Sequence, residues 1–574
     1  MEERRLILAV ALSLLVLTAY QLLFPAPPPP VPSPRPGAAQ ASPPPAAAAS
    51  PGPATAGITP PAVAAPVAPG ASSARRVAPA PAITTVADEK ERRVEMDAPG
   101  LALVFTNKGA RLLSWQLLEF KDRRGRPEEM VRLVHDAPRP LDLETGEPAL
   151  DGRLQSALFR PSAERVVAAS GADATLQFDF ADGDLEVTKA LTIRADSGLI
   201  EIRASVRRAG VVVPVRLVWG PGLGTPTAEE MEVQGYQPPQ AVYDGPEGVE
   251  RVAASEIGAG RTVDGARWAG IESTHFTALF VPPGAPATAE FRSAKAPGEE
   301  GEGVAPVVGI RLAAASEAAL LYVGPKDHAR LSRLGHRLVD VVPVGTWIGP
   351  IVVPLIGLLK WAYRMVGNYG WAIVVLTVLI NLVMAPFRHY SIANGVKMAK
   401  LSPEMRVIQE RYRKVPALDP RRQEMQKEIG ELYARHGMNM GTQMAVGCLP
   451  ILLTMPFLIA FYRVLTVAIE LRGASFLWIP DLSQKDPLFI TPVLMAVSMF
   501  VMQRMTPTAM DPAQARMMMI MPLILGVMFF AAPGGLNLYW LVSNLCAIVQ
   551  QGLTLRMLRA QDERRVLPAR ARRT

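Results

Sequence analysis

Cysteine occurs only twice in 574 residues, as Cys448 and Cys546, each inside an apolar run. That excludes a disulfide framework and a zinc site of the usual multi-cysteine spacing. The six histidines (135, 275, 328, 336, 389, 436) are scattered without metal-ligand spacing, so neither a metal nor another cofactor is expected. No G-x-x-x-x-G-K-S/T loop is present to cradle a nucleoside triphosphate, and no run of carboxylates crosses the apolar segments to relay protons. An acid/base cluster is also missing, so the chain is not expected to be an enzyme.

What is present is unevenly distributed. With 49% hydrophobic and 20% charged residues, the chain is too long for one compact domain and must be read in parts. Residues 1–24 place Arg4 and Arg5 before an uncharged apolar stretch, 6–24, that approaches a ~30 Å hydrocarbon core at ~1.5 Å per residue. It reads as an N-terminal signal-anchor transmembrane helix, because it exceeds the usual signal-peptide core and is followed by Pro25 and Pro27–Pro30; a cleaved signal peptide is the alternative. Residues 25–90 are mostly Pro, Ala, Gly and Ser, a tether that cannot bury enough apolar surface to fold.

Between 91 and 335 the pattern has period two. Ala174, Leu176, Phe178 and Phe180 alternate with polar residues, Asp182-Gly183 reads as a turn, and Leu185 and Val187 resume the alternation. Ile200, Ile202, Ala204 and Val206 repeat it, and Asp151-Gly152, Asp244-Gly245 and Asp264-Gly265 read as further turns. An all-β sandwich domain is predicted.

From 336 to 556 the chain is membrane-like. Residues 347–366 mix apolar residues with prolines, aromatics, Lys360 and Arg364, which suits an interfacial helix. Transmembrane helices are predicted near 369–387, 447–469, 488–502, 517–532 and 536–553, making six spans with the first. Residues 388–435 carry eleven Lys/Arg against six acids, and the basic tail 557–574 follows Arg556, whereas 470–487 holds only Arg472 and Lys485 against three acids. Basic loops stay inside, so both termini are expected to be cytoplasmic and the β-domain outside. A cytoplasmic helical hairpin over 397–436 follows from Met398, Leu401, Met405 and Ile408, a break at Pro416 and Pro420, then Met425, Ile429 and Leu432. Its basic flanks and the tail suit ribosomal RNA, anionic lipid or a simple positive-inside anchor.

Two of the spans, 488–502 and 517–532, cover roughly 23 Å, so they either thin the bilayer or continue as helix with snorkelling ends. Ten methionines between Met495 and Met528 either repack against varied client segments or fill the core. Thr377 and Asn381 lie four apart on one helical face, Thr454 lies in the next span, and Ser543, Asn544, Gln550 and Gln551 lie in the last. Interhelical hydrogen bonding explains Ser and Thr there, while Asn381 and the glutamine pair suit a water-accessible groove. Arg463, near the end of its span, can snorkel.

Short motifs recur in order: Gly367-Asn368-Tyr369-Gly370, Met384-Ala385-Pro386, Gly447-Cys448-Leu449-Pro450, Met455-Pro456-Phe457, Glu470-Leu471-Arg472, Trp478 to Ser483, Asp486-Pro487, and Pro533 to Leu536 through Ser543-Asn544-Leu545. Over about 340–556 the chain resembles the YidC insertase family of Gram-negative bacteria. The resemblance implies a multi-pass α-helical membrane protein of the bacterial inner membrane with a periplasmic β-supersandwich. It implies nucleotide-independent insertion and folding of nascent membrane proteins, alone or with Sec translocon components, through a hydrophilic groove open to cytoplasm and lipid. The client groove would comprise Thr377, Asn381, Thr454, Trp540, Ser543 and Asn544. The family usually carries arginine where this chain has Asn381; Arg388, seven residues on and about 20° off the same face, can supply a charge at the groove mouth. A secondary transporter or channel is the alternative, for which paired intramembrane charges or related halves would be expected. A membrane-anchored periplasmic enzyme or sugar-binding protein would place the function in the β-domain instead.

Overall fold

The computed structural model describes residues 85–571 apart from 123, 195–198, 227, 259, 299–300, 313–317, 346, 414, 417–418, 437–454 and 507–511. The signal-anchor and almost all of the tether expected before residue 90 lie outside the described residues.

A β-rich region runs from Arg93 to Pro325 in three sheets, one of ten strands and two of five. Strands Ala174–Asp182, Leu185–Ile193 and Ile200–Arg208 are consecutive neighbours in the largest sheet. Their inward set, Leu176, Phe178, Leu185, Val187, Leu191, Ile200, Ile202 and Val206, is buried, while Thr175, Glu186, Arg203 and Arg207 are exposed. Each such fully buried aliphatic side chain contributes about 1.5–3 kcal/mol, so a one-residue register slip would be prohibitive.

The turns differ in detail from the expectation. Asp182 pairs with Leu185, so the connection is Gly183-Asp184, with Gly183 at φ +61 supplying the left-handed backbone. Asp151-Gly152 is no turn: it sits inside the helix Pro148–Ser156, where Pro148 opens the first turn and Leu150 and Leu154, four apart, are both buried. Asp264-Gly265 marks a register shift within the strand Arg261–Ala266 rather than a hairpin.

The C-terminal region is helical: α1 (Gly349–Val366), α2 (Tyr369–Arg411), α3 (Arg421–Arg435), α4 (Met455–Val467), α5 (Ile490–Met505), α6 (Pro512–Met528) and α7 (Gly534–Ala571). α1, α2 and α7 are long and apolar enough to cross a membrane; α4 and α5 are shorter apolar helices, as is the stretch Met518–Ala531. α1 thus has the length and composition of a span as well as of an interfacial helix. α2 covers 43 residues with Pro386 and Pro403 inside it, and its range includes residues expected for the first arm of the hairpin. α5 has 16 residues, about 24 Å.

Apolar side chains of α1, α2, α4 and α7 share one core with the loop residues Leu471, Phe476, Ile479 and Leu482. Gly370 is required there, because a Cβ would lie 2.1 Å from a Phe476 ring atom. In contrast Leu382, Val383, Leu523 and Val527 are exposed, as expected of helix faces turned to lipid.

Residues Met405–His436 form a separate compact unit. Within it Met405, Ile408, Met425, Ile429, Leu432 and Tyr433 are buried, and the Tyr433 hydroxyl donates to Met405 Sδ at 3.0 Å. Glu428 joins the two arms by accepting from Arg411 at 3.0 Å and from the Tyr412 hydroxyl at 3.0 Å. Leu401 is buried and Met398 half-buried on the preceding part of α2.

Candidate client groove

The polar residues of α2 fall on one face because 377, 381 and 388 are spaced by four and seven. Thr377 is fully buried and its hydroxyl donates to the Ile373 carbonyl at 2.6 Å, one turn back, so it satisfies itself within the helix. Asn381, 7% exposed, donates through Nδ2 to the Thr377 carbonyl at 2.8 Å. Its amide also lies 3.4–3.5 Å from Ser543 Oγ of α7.

Arg388 is half-buried and its Nη1 donates to Asn381 Oδ1 at 3.0 Å. Asn381, Arg388 and Ser543 therefore form one cluster between α2 and α7. Among the described residues no carboxylate forms an ion pair with Arg388, whose partner is a neutral amide. Its charge is thus offset by no carboxylate among the described residues, in a site lined by apolar helices, where a charge interacts far more strongly than in water.

Other predicted residues lie elsewhere. Asn544 is buried and donates to Ser498 Oγ of α5 at 3.0 Å, and Ser498 donates to the Met495 carbonyl at 2.7 Å. Gln551 donates to Thr506 Oγ1 at 3.2 Å, just past the end of α5. Asn544 and Gln551 thus zip α7 to α5, on a seam distinct from the Asn381 cluster. Gln550 caps the Ala385 carbonyl of α2 at 2.6 Å, one residue before Pro386. Trp540 is half-buried and meets Phe529 edge-on with centroids 5.2 Å apart. Thr454 lies outside the described residues.

Among the contacts that escaped the sequence reading are two between helices. His389 Nδ1 lies 3.1 Å from Thr554 Oγ1 of α7, and Ser498 supplies the α5 side of the Asn544 contact. No spacing along one helix signals either contact, because both depend on how neighbouring helices pack. Among the described residues no group of three or more His, Cys, Asp or Glu could hold a metal ion.

Residues 361–561 match the family model described as 60Kd inner membrane protein, and residues 93–358 match the YidC periplasmic domain. The chain is 31% identical over 506 residues to a membrane protein insertase YidC of Geobacter metallireducens, covering 86% of this chain and 91% of the relative. It is 32% identical over 560 residues to that of Citrifermentans bemidjiense, covering 96% and 98%. Among solved structures, the crystal structure of an active YidC insertase with its first transmembrane domain resolved aligns over 82% of this chain and 94% of that one, at 18% identity and a TM-score of 0.34.

Proposed function

Because the chain belongs to the YidC family of membrane protein insertases, we propose that it inserts and folds membrane proteins through the cleft between α2 and α7, with Arg388 as the groove charge. The observation that carries this reading is the half-buried Arg388 bonded to the neutral amide of Asn381 and to no carboxylate among the described residues. Such a cation attracts an acidic client tail and lowers the cost of bringing it partway into the bilayer. Asn381 and Ser543 add neutral hydrogen-bonding groups that can solvate a passing peptide backbone. Partition of the client's apolar segment into lipid drives the step, without nucleotide.

The accompanying topology has six transmembrane helices in the bacterial inner membrane, both termini in the cytoplasm and a periplasmic β-supersandwich. The excess of basic residues over 388–435 and in the tail supports it. Nascent membrane proteins are the clients. Sec translocon components are the proposed partners on the membrane, and the ribosome is the partner of the basic hairpin and tail. The short α5 supports local thinning of the bilayer beside the groove.

The test is insertion of a small one- or two-span protein with an acidic tail into liposomes containing only the purified full chain, without ATP, scored by protease protection. Protection above empty liposomes is expected. Protection no better than empty liposomes with folded chain would overturn the reading, and solute flux in its place would identify a channel or transporter.

A further inference from the structure

The loop between α4 and α5 carries Arg472, whose side chain is 11% exposed. Two carboxylates of the β-rich region reach it. Nη1 lies 2.7 Å from Glu128 Oε2 and Nη2 lies 2.9 Å from Glu230 Oε1, and those side chains are 13% and 14% exposed. The guanidinium also sits 5.0 Å from the centroid of the Phe276 ring, on the same region. Glu128 is the middle residue of the short strand Pro127–Glu129, and Glu230 lies in the one-turn helix Ala228–Met231. Two elements far apart in sequence thus converge on one side chain of the helical region.

Further contacts surround this centre. The Gln234 amide donates to the Ala531 carbonyl at 2.8 Å, tying the segment after that short helix to the connection between α6 and α7. Lys485 pairs with Glu232, and Lys360 of α1 bridges Asp327 at 2.9 Å and Glu470 at 2.6 Å. A small cleft lies beside the pair, lined among others by Glu128, Glu230, His275, Thr466, Arg472 and Gln484. Burial, with Arg472 and Lys326 close by, pushes His275 down to about 3, so it is neutral. Burial alone would lower Arg472, but the Glu128 and Glu230 carboxylates outweigh it and hold the group above its ordinary range. Removing either carboxylate leaves this buried cation with one charged partner fewer, which is costly where water is excluded.

The geometry points to Arg472 as a positioning residue that latches the β-rich region onto the α4–α5 loop, so that the β-rich region and the helices move as one body. Each carboxylate alone leaves a guanidinium edge without a charged partner, which makes the latch a two-point contact that resists rotation as well as separation. This goes beyond the insertase reading, and its primary readout is independent of activity.

The test is a distance distribution from spin labels in the full chain in lipid nanodiscs, with Cys448→Ala and Cys546→Ala as background. Labels go at Val211 in the β-rich region and Val493 on α5, both exposed. A narrow distribution is expected in the parent. Arg472→Glu, which places three carboxylates together, is expected to broaden it at least to double width, and Glu128→Arg with Glu230→Arg added to Arg472→Glu should narrow it again by restoring both ion pairs with their charges exchanged. Glu230→Gln, which keeps the shape of the side chain, should give a smaller broadening and serves if Arg472→Glu does not fold. An unchanged narrow distribution in Arg472→Glu, or in Glu230→Gln where only that variant folds, would overturn the proposal. So would a broadening that the two added arginines do not reverse in a folded triple variant.

Discussion

Arg388 and Arg472 are both partly withdrawn from water, yet their surroundings differ. Arg472 has two carboxylates within 2.9 Å, whereas among the described residues Arg388 meets a neutral amide oxygen at 3.0 Å and no carboxylate. The first charge is held by its own fold; the second is, in the proposed reading, the charge that an acidic client meets. Lys189 provides a third arrangement in the β-rich core. It is fully buried and its Nζ donates to the carbonyls of Ala110 and Leu141, each at 2.6 Å, while Asp142 is engaged by Arg111. Burial, partly offset by Asp142 and aided by Arg111, pushes Lys189 down to about 7. Neutral acceptors alone therefore do not hold a lysine charged, whereas arginine stays charged because its intrinsic affinity for the proton is far higher.

Truncating Arg472 should have the largest effect on stability. Arg472→Ala leaves two buried carboxylates facing each other and should cost about 3–5 kcal/mol, measured by chemical denaturation in detergent. A loss below about 1 kcal/mol, the scale of an exposed pair, would erase the contrast with Arg388.

Lys189 sharpens the comparison through pH. The unfolded chain holds this proton up to about 10.5 and the folded chain only up to about 7. Stability should therefore rise by about 1.4 kcal/mol per pH unit between those values. Below pH 7 both states are protonated and the cost of the buried charge is fully present. Lys189→Met should lack this slope in thermal melts recorded from pH 7 to 10; an identical slope in both chains would contradict the assignment.

Arg388→Ala should leave stability within about 0.5 kcal/mol but reduce insertion of acidic-tailed clients roughly tenfold, equivalent to about 1.4 kcal/mol. Asn381→Asp is the sharper variant. It places a carboxylate on Arg388 and should depress the same clients to a similar degree while clients with neutral tails are spared. If Asn381→Asp inserts acidic tails normally, Arg388 is not an uncompensated charge that clients use.

Asn381→Ala should have the smallest effect, under about twofold on acidic-tailed clients, because it removes a neutral hydrogen bond of about 1 kcal/mol and leaves the cation free. Equal, mild losses in Arg388→Ala and Asn381→Ala would remove any special role for the arginine.

How much of this was legible in the chain depends on the range of the interaction. The period-two run from Ala174 to Val187 shows its strands because each side chain's burial is set by the pleat. The turn between them shifts by one residue, since Asp182-Gly183-Asp184 leaves open which pair closes the loop until the cross-strand register is set. Asp151-Gly152 has turn chemistry, but Pro148 at the helix start and the buried pair Leu150 and Leu154 favour a helix there. On α2 the seven-residue interval between Asn381 and Arg388 is readable as two turns of one face, and the structure places the two groups 3.0 Å apart. Asn544 and Ser543 are adjacent in sequence yet turn to different neighbours, α5 and α2. Adjacent helical residues point about 100° apart, and only the packing decides what lies in each direction.

The sequence by itself determined which segments are apolar enough to leave water, which alternate as strands, where the basic loops lie and that Arg388 shares a face with Asn381. These are properties of composition and of local periodicity, and a single chain carries them in full. Only the tertiary structure decided which cation meets a carboxylate. Glu128 and Glu230 reach Arg472 across more than two hundred residues, and nothing comparable reaches Arg388 among the described residues. The energy of a buried charge depends on groups within a few ångströms, and those groups are brought together by the fold rather than by their order along the chain.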